Sequence, residues 1–256
     1  MSLFSTTQQH QEDGYIFPYH YLDLKAPEYR LILHMEYLNR LEVIKRLLQP
    51  FTGQSVLDAG CGDGRLCYEL RDANLKVVGV DYSERALAFA RAFSPNTEFY
   101  AADLKTLVLP HQFDAIVMQE TLEHFDPADI PAILQGLARH LKPSGKLIIT
   151  VPSTTIPLIK KHYQHFSPAS LRQTLAGYFS VTQCFGHSRL RGSSGVWLFW
   201  RIWRLSTFLY PLHYRLPAVT RWLEHLQRYY ARHLAEGRPE QCSGLVAVCV
   251  PQQAPA

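Results

Sequence analysis

Three glycines at alternate positions, Gly60, Gly62 and Gly64, directly follow the short apolar run Ser55-Val-Leu-Asp58, and they constrain this chain more than any other feature. An apolar run that ends on an acid, turns through glycines and enters a helix reaching about Ala73 reads as strand, tight turn, helix. Glycine allows the tight turn and a close approach of backbone to ligand, and the helix N-terminus offers free N–H groups to an anion. The spacing is not that of a dinucleotide fingerprint, because the third glycine comes one residue early and Arg65 stands where that pattern wants Gly or Ala. No Lys-Ser/Thr pair follows, which excludes a phosphate-gripping P-loop.

The rest of the chain repeats the strand–helix alternation. Apolar residues at helical spacing (Leu31, Leu33, Leu38, Leu41, Ile44, Leu48) predict a helix over 27–48, with Pro27 in its first turn and Pro50 past its end. Further strands are predicted at 76–80, 97–100, 113–118, 146–151, 179–185 and 244–250. Ser83 is placed to cap a helix running to Phe93. A helix over 127–140, a turn at Pro143-Ser-Gly145 and a helix opening at Ser167-Pro168 fill the intervals. This order predicts an α/β fold: a doubly wound, mostly parallel seven-stranded sheet with a helical insertion before the last strand. The expected division is an N-terminal lid segment and helix (1–50), a core (51–187), the insertion (188–241), and the last strand with its tail (242–256).

Two further acids stand at strand ends. Asp81 closes Val-Gly-Val-Asp81-Tyr82-Ser83, where a carboxylate can accept both hydroxyls of a ribose, and Asp103 closes Ala101-Ala-Asp103-Leu104, at the place for an adenine amine. Carboxyl ends of successive strands face the crevice where open α/β sheets bind ligands. Together with Phe113-Asp-Ala-Ile-Val-Met-Gln119-Glu-Thr-Leu-Glu-His124 and Leu141-Lys-Pro-Ser-Gly-Lys-Leu-Ile-Ile-Thr-Val-Pro152, these motifs resemble the class I S-adenosylmethionine-dependent methyltransferases. The resemblance spans about residues 47–185 and is nearest to the small-molecule branch that includes ubiquinone-biosynthesis O-methyltransferases. It implies S-adenosylmethionine as cofactor and S-adenosylhomocysteine as product. It further implies Asp58 at the methionine ammonium, Gly60, Cys61 and Gly62 along the methionyl part, and Asp81 at the ribose. Tyr82 would lie beside the adenine face, Asp103 and Leu104 at the adenine, Gln119 in the same site, and Arg40 toward the methionine carboxylate. A surface arginine on an amphipathic helix is the other reading of Arg40.

A hydroxyl acceptor needs a base near neutral pH, and histidine suits the task. His162 and His165 lie in the loop after the fifth predicted strand and His124 after the fourth, so these three are the candidate catalytic residues. Tyr19, His20, Glu120 and Tyr163 are candidate substrate contacts, and the aromatic run Tyr15-Ile-Phe-Pro-Tyr19-His20-Tyr21 is a candidate lid. The absence of an Asn/Asp-Pro-Pro-Tyr motif and of a Pro-Cys pair argues against nucleic-acid bases as acceptors. The expected acceptor is a small molecule, a glycan or a carrier-linked group, methylated at oxygen. N- or C-methylation and a non-catalytic, cofactor-binding scaffold are the alternatives.

Charge singles out one further segment. Residues 188–238 hold nine Arg, no Lys and two acids, a net of +7 in a chain of net +4, and all four Trp. A cap over the acceptor, a homodimer interface, a peripheral membrane contact and an ordinary core-packing helical pair are the readings this composition allows, and the cap is preferred. Five cysteines without a Cys-x-x-Cys pair argue against a disulfide framework or a zinc site, and no metal is expected. No apolar run reaches the length of a membrane span and 1–14 lack a secretory pattern, so the expected location is cytoplasmic, with possible contact at a membrane surface.

Overall fold

A computed structural model describes residues 9, 12–22, 35–206, 208–209 and 215–252. Its helices and strands follow in chain order. Helix α1 (Met35–Leu48) precedes β1 (Ser55–Ala59), then α2 (Arg65–Leu70), β2 (Lys76–Asp81), α3 (Glu84–Phe93), β3 (Glu98–Ala101) and β4 (Phe113–Gln119). The second half continues with α4 (Ile130–His140), β5 (Leu141–Pro152), α5 (Pro168–Leu175), β6 (Phe179–Arg189), α6 (Ser194–Ser206), α7 (Pro217–His233), β7 (Glu236–Gly237) and β8 (Cys242–Pro251). The first eight residues of the helix predicted over 27–48 lie outside the described residues.

The strands form one sheet in the order β3-β2-β1-β4-β5-β8-β6-β7. From β3 to β5 every pairing is parallel, and the three pairings beyond β5 are antiparallel. Chain direction along the sheet reverses between β1 and β4, which opens the crevice at the strands' carboxyl ends. Side chains alternate between two apolar layers, as period-two geometry requires. Val56, Ala115, Val117 and Ile148 pack on Leu41, Ile44 and Leu48 of α1 and on Leu66 and Leu70 of α2. On the other face Leu57, Ile116, Met118, Leu147 and Ile149 pack on Ile133, Leu134 and Leu137 of α4 and on Leu171 and Leu175 of α5. Burial on both faces explains why these strands read as unbroken apolar runs.

Local chemistry fixes the helix ends. Ser83 Oγ accepts from the Ala86 N–H at 3.0 Å, and Ser167 with Ser170 forms a reciprocal capping box ahead of Pro168. At Gly64 (φ +76°) a Cβ would sit 2.6 Å from the Ala90 Cβ, so the backbone entering α2 lies directly against α3.

The strand count differs from expectation. The eighth strand, β7, is only two residues long and pairs Glu236 and Gly237 with His187 and Gly186. The turn expected at 143–145 lies inside β5, which begins at Leu141 and shifts register against β4 between Phe113 and Ala115.

Between β6 and β7 the arginine- and tryptophan-rich segment forms the hairpin of α6 and α7. Val196, Phe199 and Trp203 pack on Leu226, Tyr230 and Leu234, and this small core closes on Met35 at the start of α1. The buried Tyr230 hydroxyl meets Ser188 Oγ at 2.6 Å, and Arg46 of α1 pairs with Glu236 at 2.7 Å. The tryptophans of α6, spaced three residues apart, do not share one side: Trp203 is buried and Trp197 is 58% exposed. A step of three residues falls about 60° short of a full turn, so two steps carry the side chain well around the helix. Among the described residues no helix is long and apolar enough to cross a membrane.

Candidate active site

A cavity of about 280 Å³ opens at the carboxyl ends of β1, β2 and β4. The residues assigned there from the sequence to a cofactor line it together: Arg40, Asp58, Gly60, Cys61, Gly62, Asp81, Tyr82, Asp103, Leu104 and Gln119. Each acid arrives by the same device, a strand that ends at the crevice rim. At Gly60 (φ +80°) a Cβ would collide with the Thr121 side chain at 2.3 Å, so the turn after β1 needs glycine to fit under the loop after β4.

Backbone donors hold the acids in place. Asp81 accepts from the Gly62 N–H at 2.8 Å through one oxygen and from the Ser83 N–H at 2.9 Å through the other, and each oxygen keeps a lone pair for a hydroxyl in the cavity. Burial, opposed by these two bonds, raises its pKa to about 6. Asp58 is raised to about 7 by burial, against the hydrogen bond it accepts from the Cys67 thiol. Asp103 accepts from the Lys105 N–H at 2.9 Å, capping a 3-10 turn that presents the Leu104 side chain.

An aromatic wall covers one side. The rings of Tyr15, Tyr19, His20 and Tyr37 follow one another at 5.5, 4.1 and 4.7 Å, and the Arg40 guanidinium lies 5.6 Å from the Tyr37 ring. The glycine-rich loop itself anchors this wall. Asp63, fully buried, contacts the His20 ring at 2.9 Å, and the buried Arg65 donates to the His20 carbonyl at 2.5 Å. Asp63 and Arg65 escaped the sequence reading as structural anchors, although two opposite charges inside a glycine turn were their signal.

Part of the cavity lining is built from buried charge. Arg40 is not a surface residue; its side chain is 13% exposed and lies 3.6 Å from Glu120, which also faces His187 at 3.8 Å. Burial pushes the Glu120 carboxyl up, but Arg40 and His187 outweigh it and hold the group ionised, well below the usual carboxylate range. Glu123, 0% exposed, is pushed well above that range by burial and then by the Glu120 charge. Among the described residues neither Glu123 oxygen has a hydrogen-bond partner.

Of the candidate catalytic histidines, His124 and His162 line the cavity and His165 does not. His165 stands behind His162, its Nε2 at 2.9 Å from His162 Nδ1. Burial lowers His124 to about 4, and burial with the neighbouring His124 and His165 lowers His162 to about 3. Tyr19, His20 and Glu120 line the cavity as expected of substrate contacts; Tyr163 does not, and its N–H instead donates to the Glu123 carbonyl at 2.8 Å. Although no metal was expected, Glu123, His124 and His162 bring ligand atoms within 4.8 Å of one another.

Residues 56–145 match the family described as "Methyltransferase domain". A probable S-adenosylmethionine-dependent methyltransferase of Mycobacterium tuberculosis is 31% identical over 161 residues, 58% of this chain and 58% of that protein. A ubiquinone biosynthesis O-methyltransferase of Albidiferax ferrireducens is 35% identical over 114 residues, 41% of this chain and 44% of its own length. The chain thus spans about half the length of the curated relatives it matches. In three dimensions it is similar to the N-methyltransferase NodS of Bradyrhizobium japonicum, with TM-score 0.61 at 14% identity over 97% of this chain and 100% of that one. The magnesium protoporphyrin IX methyltransferase of Synechocystis gives 0.57 at 21% identity over 75% and 94%. These likenesses identify the fold.

Proposed function

We propose, on the premise that residues 56–145 belong to the methyltransferase-domain family, that this chain is an S-adenosylmethionine-dependent methyltransferase acting at oxygen on a small-molecule, glycan or carrier-linked acceptor. The observation that carries the reading is the convergence of Asp58, Asp81 and Asp103, from three strand ends, on one cavity that also exposes the glycine turn.

In this reading Asp58 faces the ammonium of the methionyl part and the Gly60–Gly62 backbone runs along it. Asp81 accepts both ribose hydroxyls, with Tyr82 beside the adenine and Asp103 and Leu104 at its edge. Arg40 and Gln119 border the methionyl end. The sulfonium carbon is already activated, so the chain's task is alignment of donor and acceptor for in-line displacement. Bound there, S-adenosylmethionine would supply an electrophilic methyl group to the acceptor oxygen, with the C–S electron pair returning to sulfur and S-adenosylhomocysteine as the product. The hydroxyl proton leaves at the Glu123–His124–His162 end, while Tyr15, Tyr19 and His20 exclude water from above. We assign the α6–α7 hairpin as a cap over the bound acceptor, although none of its described residues lines the cavity.

Ubiquinone O-methyltransferases among the relatives favour oxygen as the target, whereas the fold alone, which NodS shares, accommodates nitrogen. Calorimetry with S-adenosylhomocysteine tests the cofactor half: the wild type should bind it, and Asp81→Ala should lose about 1.5–3 kcal/mol, the scale of hydrogen bonds to a charged acceptor. Binding of NAD in place of S-adenosylhomocysteine overturns the reading. Product analysis with phenolic, sugar and lipid-linked hydroxyl acceptors tests the acceptor half.

A further inference from the structure

Polar side chains form one line from helix α7 to the cavity. Tyr230 of α7, 0% exposed, brings its hydroxyl to 2.6 Å from Ser188 Oγ. Ser188 Oγ lies 3.4 Å from Nδ1 of His187, a buried residue on β6. His187 Nε2 stands 3.8 Å from Glu120 Oε1, and Glu120 Oε2 lies 3.6 Å from Arg40 Nη1. Glu120 and Arg40 line the cavity; His187, Ser188 and Tyr230 do not.

The protons along this line can all point one way. A carboxylate only accepts, so the neutral His187 ring carries its proton on Nε2 and leaves Nδ1 to accept from the Ser188 hydroxyl, which in turn accepts from the Tyr230 O–H. The backbone is bent to keep the line in place. Glu120 (φ +47°) and Ser188 (φ +60°) are two of the three non-glycine residues at left-handed φ among those described. Such conformations persist where the surrounding structure imposes them, and they cluster at functional sites. Opposite His187 on β8 stands Gly244, where a Cβ would collide with the imidazole Nε2, so the ring rests directly on the strand's backbone.

The line ends on a guanidinium with a free edge. Glu120 faces Arg40 at Nη1 and the Tyr37 ring lies 5.6 Å from the guanidinium, while Arg40 Nε is buried with no hydrogen-bond partner among the described residues. Nε and an Nη nitrogen together make the planar fork that fits a carboxylate bidentately. We propose that His187 is a positioning residue: backed by Ser188 and Tyr230, it fixes Glu120, and Glu120 turns the Arg40 fork toward the carboxylate of the cofactor's methionyl part. This rests on the S-adenosylmethionine reading of the cavity. It also gives the α6–α7 hairpin a hold on the cofactor, although no described residue of the hairpin lines the cavity.

Calorimetry on the full chain with two ligands is the test. S-adenosylhomocysteine carries the methionyl carboxylate, and 5′-methylthioadenosine has the same adenosine and thioether without it. His187→Asn keeps a polar atom near Nδ1 and removes Nε2; it should weaken S-adenosylhomocysteine about tenfold. Tyr230→Phe should weaken it about two- to fivefold, within the range for loss of a buried hydrogen bond. Both variants should bind 5′-methylthioadenosine as the wild type does, and His187→Gln, whose amide reaches the Nε2 position, should recover most of the loss. In an Arg40→Gln background His187→Asn should add nothing, because the residue it acts through is gone. If His187→Asn fails to fold, Tyr230→Phe, which removes one oxygen, carries the comparison. Unchanged S-adenosylhomocysteine affinity, equal weakening of the two ligands, or additive losses with Arg40→Gln overturns the relay and spares the cofactor reading. A wild type that binds neither ligand overturns both.

Discussion

Asp58 and Asp81 differ from ordinary carboxylates because burial costs the charged form more than their hydrogen bonds return, placing them at about 7 and about 6. The sign follows from linkage. Between roughly pH 4 and 7 the native, unliganded chain holds protons at these groups that the unfolded chain has lost, so their contribution to stability falls as pH rises. Ligand binding runs the other way, since a ligand ammonium and ribose hydroxyls require ionised acceptors. Affinity for S-adenosylhomocysteine should therefore fall by at least about tenfold between pH 8 and pH 5. Calorimetry across that range checks it, and in Asp58→Asn the dependence near pH 7 should disappear. These acids were legible in the sequence because each is local to its own strand end. Glu123, His124 and His162 were not legible as a set. The loop that carries His162 is folded back by the Tyr163 N–H on the Glu123 carbonyl, a long-range contact that no spacing encodes.

Among the elements, the strands buried on both faces were found nearly to the residue, since alternation and apolar runs both mark them. The two-residue β7 left no pattern to find, and the start of β5 was hidden by Pro143-Ser-Gly145, which sits where the ladder to β4 slips. Capping is equally local. Replacing Ser83 by Ala removes the acceptor of the Ala86 N–H and should cost about 1 kcal/mol. For a chain of this size that corresponds to a fall of about 2–4 °C in Tm, measurable by calorimetric scanning. The α6–α7 hairpin allows a larger test. If it caps the acceptor, deleting residues 196–235 with a polar replacement at Met35 should abolish turnover while S-adenosylhomocysteine binding survives. Full activity of that deletion on a soluble acceptor would remove the cap from the reading.

At the scale of the whole molecule, charge is segregated. The hairpin segment carries +7 in a chain of +4, and its surface also exposes Trp197, Leu205, Phe208 and Trp222. Such a pole should adhere to vesicles containing anionic lipid and release as salt rises, because attraction of this kind is screened over about 10 Å at 0.1 M. Cosedimentation with anionic and zwitterionic vesicles at low and high salt checks this, and light scattering reports whether the same face pairs two chains instead. The order of the sheet has a consequence of another kind. Strand β8, made after every other strand of this sheet, inserts between β5 and β6 rather than at an edge. A nascent chain can pair β1 to β5 early, yet β5 and β6 must each wait with an open ladder until the hairpin and β8 have been made. Unpaired apolar strand edges are templates for association with other chains. During synthesis, then, the protein passes through a stage in which the parallel half of its sheet is built while the facing edges of β5 and β6 are bare, and slow translation of the hairpin would lengthen that exposure.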